Sequence, residues 1–398
     1  MQSSNSNRPS STLTKRILIT GGGSGGHISA ATAIIDGLKG RYSNATEQIL
    51  YVGGKLGMEG EKNGTSLEQR IFKDSDIKFV AIRAGKLQRY LSWNSIKLLL
   101  GVFGGVIDAR KVIKEYKPDI VISTGGYVTV PVCFIAWLNK IPVYIHEQTA
   151  AVGLTNKTTS KFARRIYTSF PSSEQYFPRK KVLHVGNAVR EKVFMTDGQG
   201  EVVDAVRDMQ QDRSKLPILL FTGGGQGSHK LNITVRQMVP YIVEEFQVII
   251  QTGQNELNKD YDLLLKERAK LTDEKKRRFF PVKYIDADQI GYLFDNIDMH
   301  IGRAGANFVY EMGVLKIPSI FIPLPFVTHN EQEKNAQTLV QFGIAKILPE
   351  GELTSERLFN EIKKFNSEIK KGLTVDTAGL ESTFRTDAVE KILADLDL

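Results

Sequence analysis

The chain lacks the features that announce several protein classes. Its 398 residues hold one cysteine, Cys133, so no disulfide closes within the chain and no cysteine-built zinc cluster is available. A reducing, cytoplasmic compartment is therefore expected. No apolar run nears the roughly 20 residues that span a bilayer. The longest, Leu98 to Ile107, is broken by Gly101, Gly104 and Gly105. There is no Gly-Lys-Ser/Thr phosphate loop, no zinc-spaced histidine set, no serine elbow with a triad around it and no recognisable nucleic-acid motif. The opening stretch, Met1 to Thr14, is polar, lacks the apolar core of a signal peptide and reads as a disordered leader.

What is present describes a folded, basic protein. Hydrophobic residues make up 41% and charged residues 24%, a globular balance. At roughly 150 residues per domain, the length suggests two domains. Lysine and arginine number 53 against 44 acidic residues, a formal charge of +9 that attracts polyanions without choosing among them. The runs Arg179-Lys180-Lys181 and Lys275 to Arg278 read as solvated surface.

Short apolar runs alternate with longer amphipathic ones, the pattern of a parallel sheet covered by helices on both faces. Strands are expected at Ile17–Ile19, Ile49–Val52, Phe79–Ile82, Ile120–Ile122 and Val143–Ile145. The pattern restarts with Pro217–Phe221, Val248–Gln251, Met299–Ile301 and Ser319–Ile322. A glycine cluster follows the first strand of each half, as in two Rossmann-like units. Asn187 to about Ser214 reads as a polar junction. From about Thr383 the chain reads as a final helix, with Val389, Ile392, Leu393 and Leu396 on one face.

Five segments carry candidate chemistry. Thr20 to His27 sets five glycines and a histidine at a strand-to-helix turn, where backbone N–H groups and the helix dipole favour a phosphate. Phe221 to Ser228 repeats the arrangement in the second half, which suits a donor and an acceptor that both carry diphosphates. His146-Glu147-Gln148-Thr149 falls at a strand end, where a His-Glu pair could move a proton. In Gly302 to Glu311, small residues precede a carboxylate able to grip two ribose hydroxyls. Asn330 to Asn335 gathers amides and carboxylates suited to sugar hydroxyls. Asp286-Ala287-Asp288 has a metal-binding spacing, but Asp74-Ser75-Asp76 and Asp395-Leu396-Asp397 share it, so neither a metal nor another cofactor is expected.

Taken in order, Gly21 to His27, Thr124-Gly125-Gly126-Tyr127, His146-Glu147-Gln148, Gly223 to Gly227, Arg303 through Glu311 and Asn330 to Asn335 resemble the MurG family, the UDP-N-acetylglucosamine transferases of peptidoglycan synthesis. The resemblance covers nearly the whole chain from Lys15. It implies an α/β chain of GT-B fold: two Rossmann-like domains facing a cleft, with the C-terminal helix returning to the first. The expected division is 1–14 as leader, 15–190 with about 378–398 as acceptor and membrane domain, and 191–377 as donor domain.

The implied reaction transfers GlcNAc from UDP-GlcNAc to the MurNAc 4-hydroxyl of undecaprenyl-pyrophosphoryl-MurNAc-pentapeptide, with inversion, converting lipid I to lipid II. The resemblance gives Arg190, Gly224, Gly225, Gln226, Gly227, Ile285, Arg303, Ala306, Asn307, Glu311, Gln332 and Asn335 to the donor. It gives Ser24, Gly25, Gly26, His27, Tyr127, Gln148 and Thr149 to the acceptor. His27 or Glu147 would be the general base. An anionic membrane surface and cell-wall or division complexes are the implied partners, at the cytoplasmic face of the membrane, with no nucleic acid. Basic residues from Arg83 to Lys114 (Arg83, Lys86, Arg89, Lys97, Arg110, Lys111 and Lys114), with Trp93 and the Leu98–Ile107 run, are the expected membrane face. Alternatives are a related transferase acting on diacylglycerol or another lipid, and a silent nucleotide-sugar-binding scaffold. Three positions depart from the family pattern: Gly225 for serine, Thr149 for asparagine and Ala188 for proline.

Overall fold

The computed structural model describes residues 11–55, 66–73, 75–83, 94–255, 257–325 and 330–398, with backbone alone for 94–102. The chain forms two compact units, one running to Arg190 and taking back Arg385–Leu398, the other Glu191–Phe384.

The first unit holds seven strands: β1 (Ile17–Gly21), β2 (Ile49–Gly54), β3 (Lys78–Ile82), β4 (Ile120–Gly125), β5 (Val143–Glu147), β6 (Arg165–Thr168) and β7 (Val182–His184). They make one parallel sheet in the order β3-β2-β1-β4-β5-β6-β7. Every residue of β1, β2, β4 and β5 is buried, because helices cover both faces and alternate side chains meet an apolar layer either way. Ile17 and Ile19 pack on one face with Ile34 and Ile35; Leu18 and Val121 pack on the other with Val132 and Cys133.

The C-terminal helix Ala388–Asp395 joins the first of these layers through Ile392 and Leu393. Its last residue, Asp395, accepts from Arg165 Nε and Nη2 at 3.1 Å each and from the Tyr167 hydroxyl at 2.8 Å.

The second unit repeats the plan with β8 (Ile218–Thr222), β9 (Gln247–Gln251), β10 (Phe279–Val282), β11 (Met299–Gly302), β12 (Ser319–Phe321) and β13 (Ala345–Ile347), all parallel. The order is β10-β9-β8-β11-β12-β13. In each sheet the order reverses beside the first strand, between β1 and β4 and between β8 and β11. Open α/β sheets bind ligands at such switch points, outside the carboxyl ends of the strands. Both glycine clusters begin there.

All nine strands expected from the sequence are present. Those not anticipated, β6, β7, β10 and β13, have three or four residues, and β7, β10 and β13 are edge strands. Pro281 hid β10, and an edge position is where a ladder tolerates proline. The polar junction needs correction: it contains the helix Glu201–Gln211, whose Val202, Val203, Val206 and Met209 are buried. The leader also ends earlier than Thr14. Leu13 is buried, and its N–H and carbonyl bond the Asn44 side chain at 2.7 and 3.0 Å. The return to the first unit comes at Arg385 rather than about 378, because the helix Thr377–Thr383 leads into Phe384, which packs on Tyr310 and Phe342 of the second unit.

Candidate active site

In the first unit, β1 leads through Gly22 and Gly23 to Ser24 and into the helix Gly25–Arg41. Ser24 caps that helix, its hydroxyl accepting from the His27 N–H at 3.5 Å. Gly25 and Gly26 thus stand in the first turn with their N–H groups at the positive end of the dipole. The loop is braced from β4: the Gly22 N–H donates to the Gly125 carbonyl at 3.1 Å. Gly126 has φ of +94°, and a Cβ there would stand 1.9 Å from the Gly22 carbonyl oxygen, so only glycine permits this crossing. The Tyr127 ring lies over Gly23 and Gly54, and buried Glu68 accepts from the Gly23 N–H at 3.1 Å.

His27, in the first turn of the helix, is only partly covered by its surroundings. Its Nδ1 lies 3.0 Å from Gln148 Oε1. Burial lowers its pKa below the ordinary histidine value, opposed by the bond to Gln148 and by the Thr124 carbonyl. Glu147 has other partners. One carboxylate oxygen accepts from the Thr149 N–H at 3.0 Å and the Thr149 hydroxyl at 2.8 Å, and the other accepts from Asn156 Nδ2 at 3.1 Å. Burial nonetheless raises its pKa. The pair expected of His146 and Glu147 is thus replaced: His146 Nδ1 faces Gln148 Nε2 at 2.9 Å, while Glu147 is held by Thr149 and Asn156. Gln148 and Thr149 are turned inward: Gln148 is buried against His146, and the Thr149 hydroxyl also bonds the Ala151 carbonyl.

In the second unit, β8 leads through Gly223–Gly227 into the helix His229–Glu245, capped by the Ser228 hydroxyl. Gly227, at φ +83°, crosses so close to Thr252 that a Cβ would stand 1.9 Å from its carbonyl oxygen. Gly225 and Gln226 form the exposed tip, and nothing lies within 4 Å of where a Gly225 Cβ would be. Gln251, at the end of β9, donates to the Gly224 carbonyl at 3.2 Å and accepts from the Ile285 N–H at 3.1 Å. Any backbone contact from Ile285 to a base therefore falls to its carbonyl.

Arg303 is buried and donates to the Ile322 carbonyl at 2.9 Å and Ser228 Oγ at 2.6 Å, with Glu350 as its ion pair. It braces the glycine loop from behind. Ala306 and Asn307 open the helix Ala306–Leu315, and Glu311 is buried in its second turn. Asn335 is buried and donates to the Ala304 carbonyl at 3.2 Å; Gln332 accepts from the Leu324 N–H at 3.1 Å. Arg190 is half-buried and is the last residue of the first unit before the chain enters the second.

Comparison with known proteins completes the picture. The glycosyltransferase family 28 N-terminal domain matches residues 17–168 and the family 28 C-terminal domain residues 218–392. A UDP-N-acetylglucosamine--N-acetylmuramyl-(pentapeptide) pyrophosphoryl-undecaprenol N-acetylglucosamine transferase from Pediococcus pentosaceus is 36% identical over 379 residues, covering 94% of this chain and 93% of its own. The chain belongs to this transferase family. The family member from Lactiplantibacillus plantarum is also 36% identical, over 86% of this chain and 88% of its own. Among solved structures, Acinetobacter baumannii MurG aligns with a TM-score of 0.61 at 23% identity, over 96% of this chain and 98% of its own. S. aureus MnaA, solved with UDP, aligns at 0.65 with 13% identity, over 96% of each chain. These likenesses bear on the fold, which is GT-B. The transferase is thus built from two Rossmann-like units, with its last helix in the first.

Sequence reading missed Glu68, Asn156, Gln251 and Glu350, which with Ser228 hold the glycine loops and strand-end turns. The one available signal was position, since Gln251 ends a strand beside a switch point. Of the expected membrane face, Lys86, Arg89 and Trp93 lie outside the described residues, and the Lys97 side chain does too. Arg83 bonds Asp108 through both Nε and Nη2, at 2.9 and 2.7 Å, with its side chain still exposed.

Proposed function

We propose that this transferase moves GlcNAc from UDP-GlcNAc to the MurNAc 4-hydroxyl of undecaprenyl-pyrophosphoryl-MurNAc-pentapeptide, with His27 as general base. The observation that carries the reading is the repetition of one device: a glycine loop and a capped helix N-terminus at the switch point of each sheet. The loop of the second unit takes the UDP diphosphate, Glu311 the ribose hydroxyls, and Gln332 and Asn335 the sugar side. The loop of the first unit takes the acceptor diphosphate near Ser24, Gly25 and Gly26.

The step needs one base. His27 Nε2 accepts the proton of the 4-hydroxyl as its oxygen bonds to the anomeric carbon. The bond from that carbon to the diphosphate oxygen breaks, and UDP departs with the electron pair. A single in-line displacement turns the α-linked donor into a β1→4 product. Loop N–H groups at Gly225 and Gln226, with the N-terminus of the His229–Glu245 helix behind them, stabilise the charge that develops on the leaving group. His27 is favoured over Glu147 because the Glu147 oxygens are engaged by Thr149 and Asn156.

The acceptor's lipid tail stays in the bilayer, so the enzyme docks on it. No helix among the described residues is long and apolar enough to cross a membrane. The helix Asn94–Tyr116 instead exposes Phe103 and Ile107 with Arg110, Lys111 and Lys114, which helical spacing sets on one face. The helix Thr129–Leu138, packed against it, exposes Trp137 and Leu138. An apolar surface with basic residues beside it suits an anionic headgroup layer.

The deciding experiment mixes the purified protein with UDP-GlcNAc and lipid I and follows UDP. Release that requires lipid I supports the reading; release with diacylglycerol instead replaces the acceptor. His27→Ala lowers kcat roughly 10²- to 10⁴-fold and leaves UDP binding intact. Full turnover in that variant would move the base elsewhere.

A further inference from the structure

Behind His27 runs a chain of hydrogen bonds whose proton positions are set by backbone carbonyls. His146 Nε2 lies 3.2 Å from the Gly186 carbonyl oxygen. A carbonyl only accepts, so Nε2 carries the hydrogen, and the neutral ring presents a bare Nδ1. His146 is fully buried and its pKa is pushed down to about 4, which keeps it neutral. One end of the Gln148 amide lies 2.9 Å from that Nδ1 and 2.8 Å from the His146 carbonyl oxygen. Both are acceptors, so this end is the NH2 group. The other end, Oε1, therefore faces His27 Nδ1 at 3.0 Å and must receive a hydrogen from it. A neutral imidazole has one N–H, and in His27 the Gln148 bond puts it on Nδ1, with the Thr124 carbonyl as the ring's other neighbouring acceptor.

We propose that His146 and Gln148 are positioning residues that hold His27 in its Nδ1–H tautomer, so that Nε2 is the nitrogen that accepts the acceptor's proton. This rests on the reading of His27 as the base. It also gives Gln148 a role other than acceptor contact, since its amide donates twice to His146 and accepts from His27.

An amide partner has a consequence that a carboxylate would not. A carboxylate on Nδ1 stabilises the imidazolium and raises the histidine pKa. Gln148 selects the same tautomer without adding charge, so His27 stays neutral and ready as a base to lower pH. An amide also takes up no proton, so the proton gained at Nε2 leaves from Nε2. The titratable neighbours leave this balance undisturbed. His146 is neutral, the Glu147 oxygens are held by Thr149 and Asn156, and Glu68 accepts from the Gly23 N–H.

The test combines spectroscopy and kinetics on the full chain. Nitrogen NMR of histidine-labelled protein, with His27 assigned by its loss in His27→Asn, reports which ring nitrogen is protonated. The expected wild-type pattern is protonated Nδ1, lost in Gln148→Ala. In that variant kcat falls about tenfold or more while KM for UDP-GlcNAc stays within about twofold. Gln148→Glu still accepts from Nδ1–H but adds a charge, so the acidic limb of kcat/KM moves up by about one pH unit or more. A merely structural glutamine would not move that limb, and UDP titration verifies that both variants fold. Protonated Nε2 in the wild type, an unchanged tautomer in Gln148→Ala, or an unmoved limb in Gln148→Glu overturns the proposal directly. A switched tautomer with unchanged kcat overturns it through its premise, the assignment of His27 as base, so the two failures are told apart.

Discussion

Single residues divide into those that face a ligand and those that hold the backbone facing it. Under the proposed function Glu311 belongs to the first kind. Its buried carboxylate, in the second turn of the Ala306–Leu315 helix, suits two ribose hydroxyls, and such charge-assisted bonds contribute on the order of 2 kcal/mol. Calorimetry of Glu311→Ala with UDP should show that loss of affinity; an unchanged constant would put the ribose elsewhere. Arg303 belongs to the second kind, since its guanidinium is occupied by Ile322, Ser228 and Glu350. Gly225 was legible in sequence as a departure from the family pattern, yet only the structure says what it costs. Its Cβ position is open and its φ is not positive, so Gly225→Ser fits without strain. The variant should match or exceed wild-type stability by roughly 0.4–1 kcal/mol, because serine restricts the unfolded chain. A lower melting temperature would mean that the loop needs glycine there.

Among the elements, the strands were read best and the surfaces worst. Period and length reveal a buried strand such as Ile218–Thr222, whereas the exposure of Trp137 depends on which helix its own helix meets. The helices Asn94–Tyr116 and Thr129–Leu138 should bind anionic vesicles in low salt and release them in high salt, each basic residue near the surface contributing about 1 kcal/mol. Joint replacement of Phe103, Ile107 and Trp137 by serine should reduce co-sedimentation while UDP affinity holds. Undiminished binding would assign the membrane contact to another surface. The C-terminal helix has its own test. Asp395 joins it to Arg165 and Tyr167 of β6, so Asp395→Ala should destabilise the first unit by about 1–3 kcal/mol. Limited proteolysis should then cut near the C-terminus sooner, and an unaltered cleavage rate would show that Ile392 and Leu393 hold the helix alone.

For the whole molecule, buried histidines set the response to acid. Burial holds His146 at about 4 and His300 at about 3, against an ordinary 6.5. Below pH 6.5 the unfolded chain takes up protons that these folded sites refuse, so stability present above 6.5 is lost as pH falls toward the folded values. By pH 5 each site should have cost about 2 kcal/mol. Denaturant unfolding at pH 7 and pH 5 measures the sum, and His300→Gln should lessen the difference; an equal difference in that variant would trace the acid sensitivity to other groups. The sequence by itself determined the two-unit α/β plan, both glycine loops and the final helix, because apolar period and glycine clusters are local signals that one stretch of chain carries alone. That helix's return to the first unit came only with the family resemblance. Tertiary structure decided what those signals leave out. Only the packed sheet sets Gly186, His146, Gln148 and His27 in one line, pairs Arg303 with Glu350, and turns Glu147 toward Thr149 and Asn156. Those contacts join residues that no spacing relates, and hydrogen-bond direction exists only once donor and acceptor have been brought within reach.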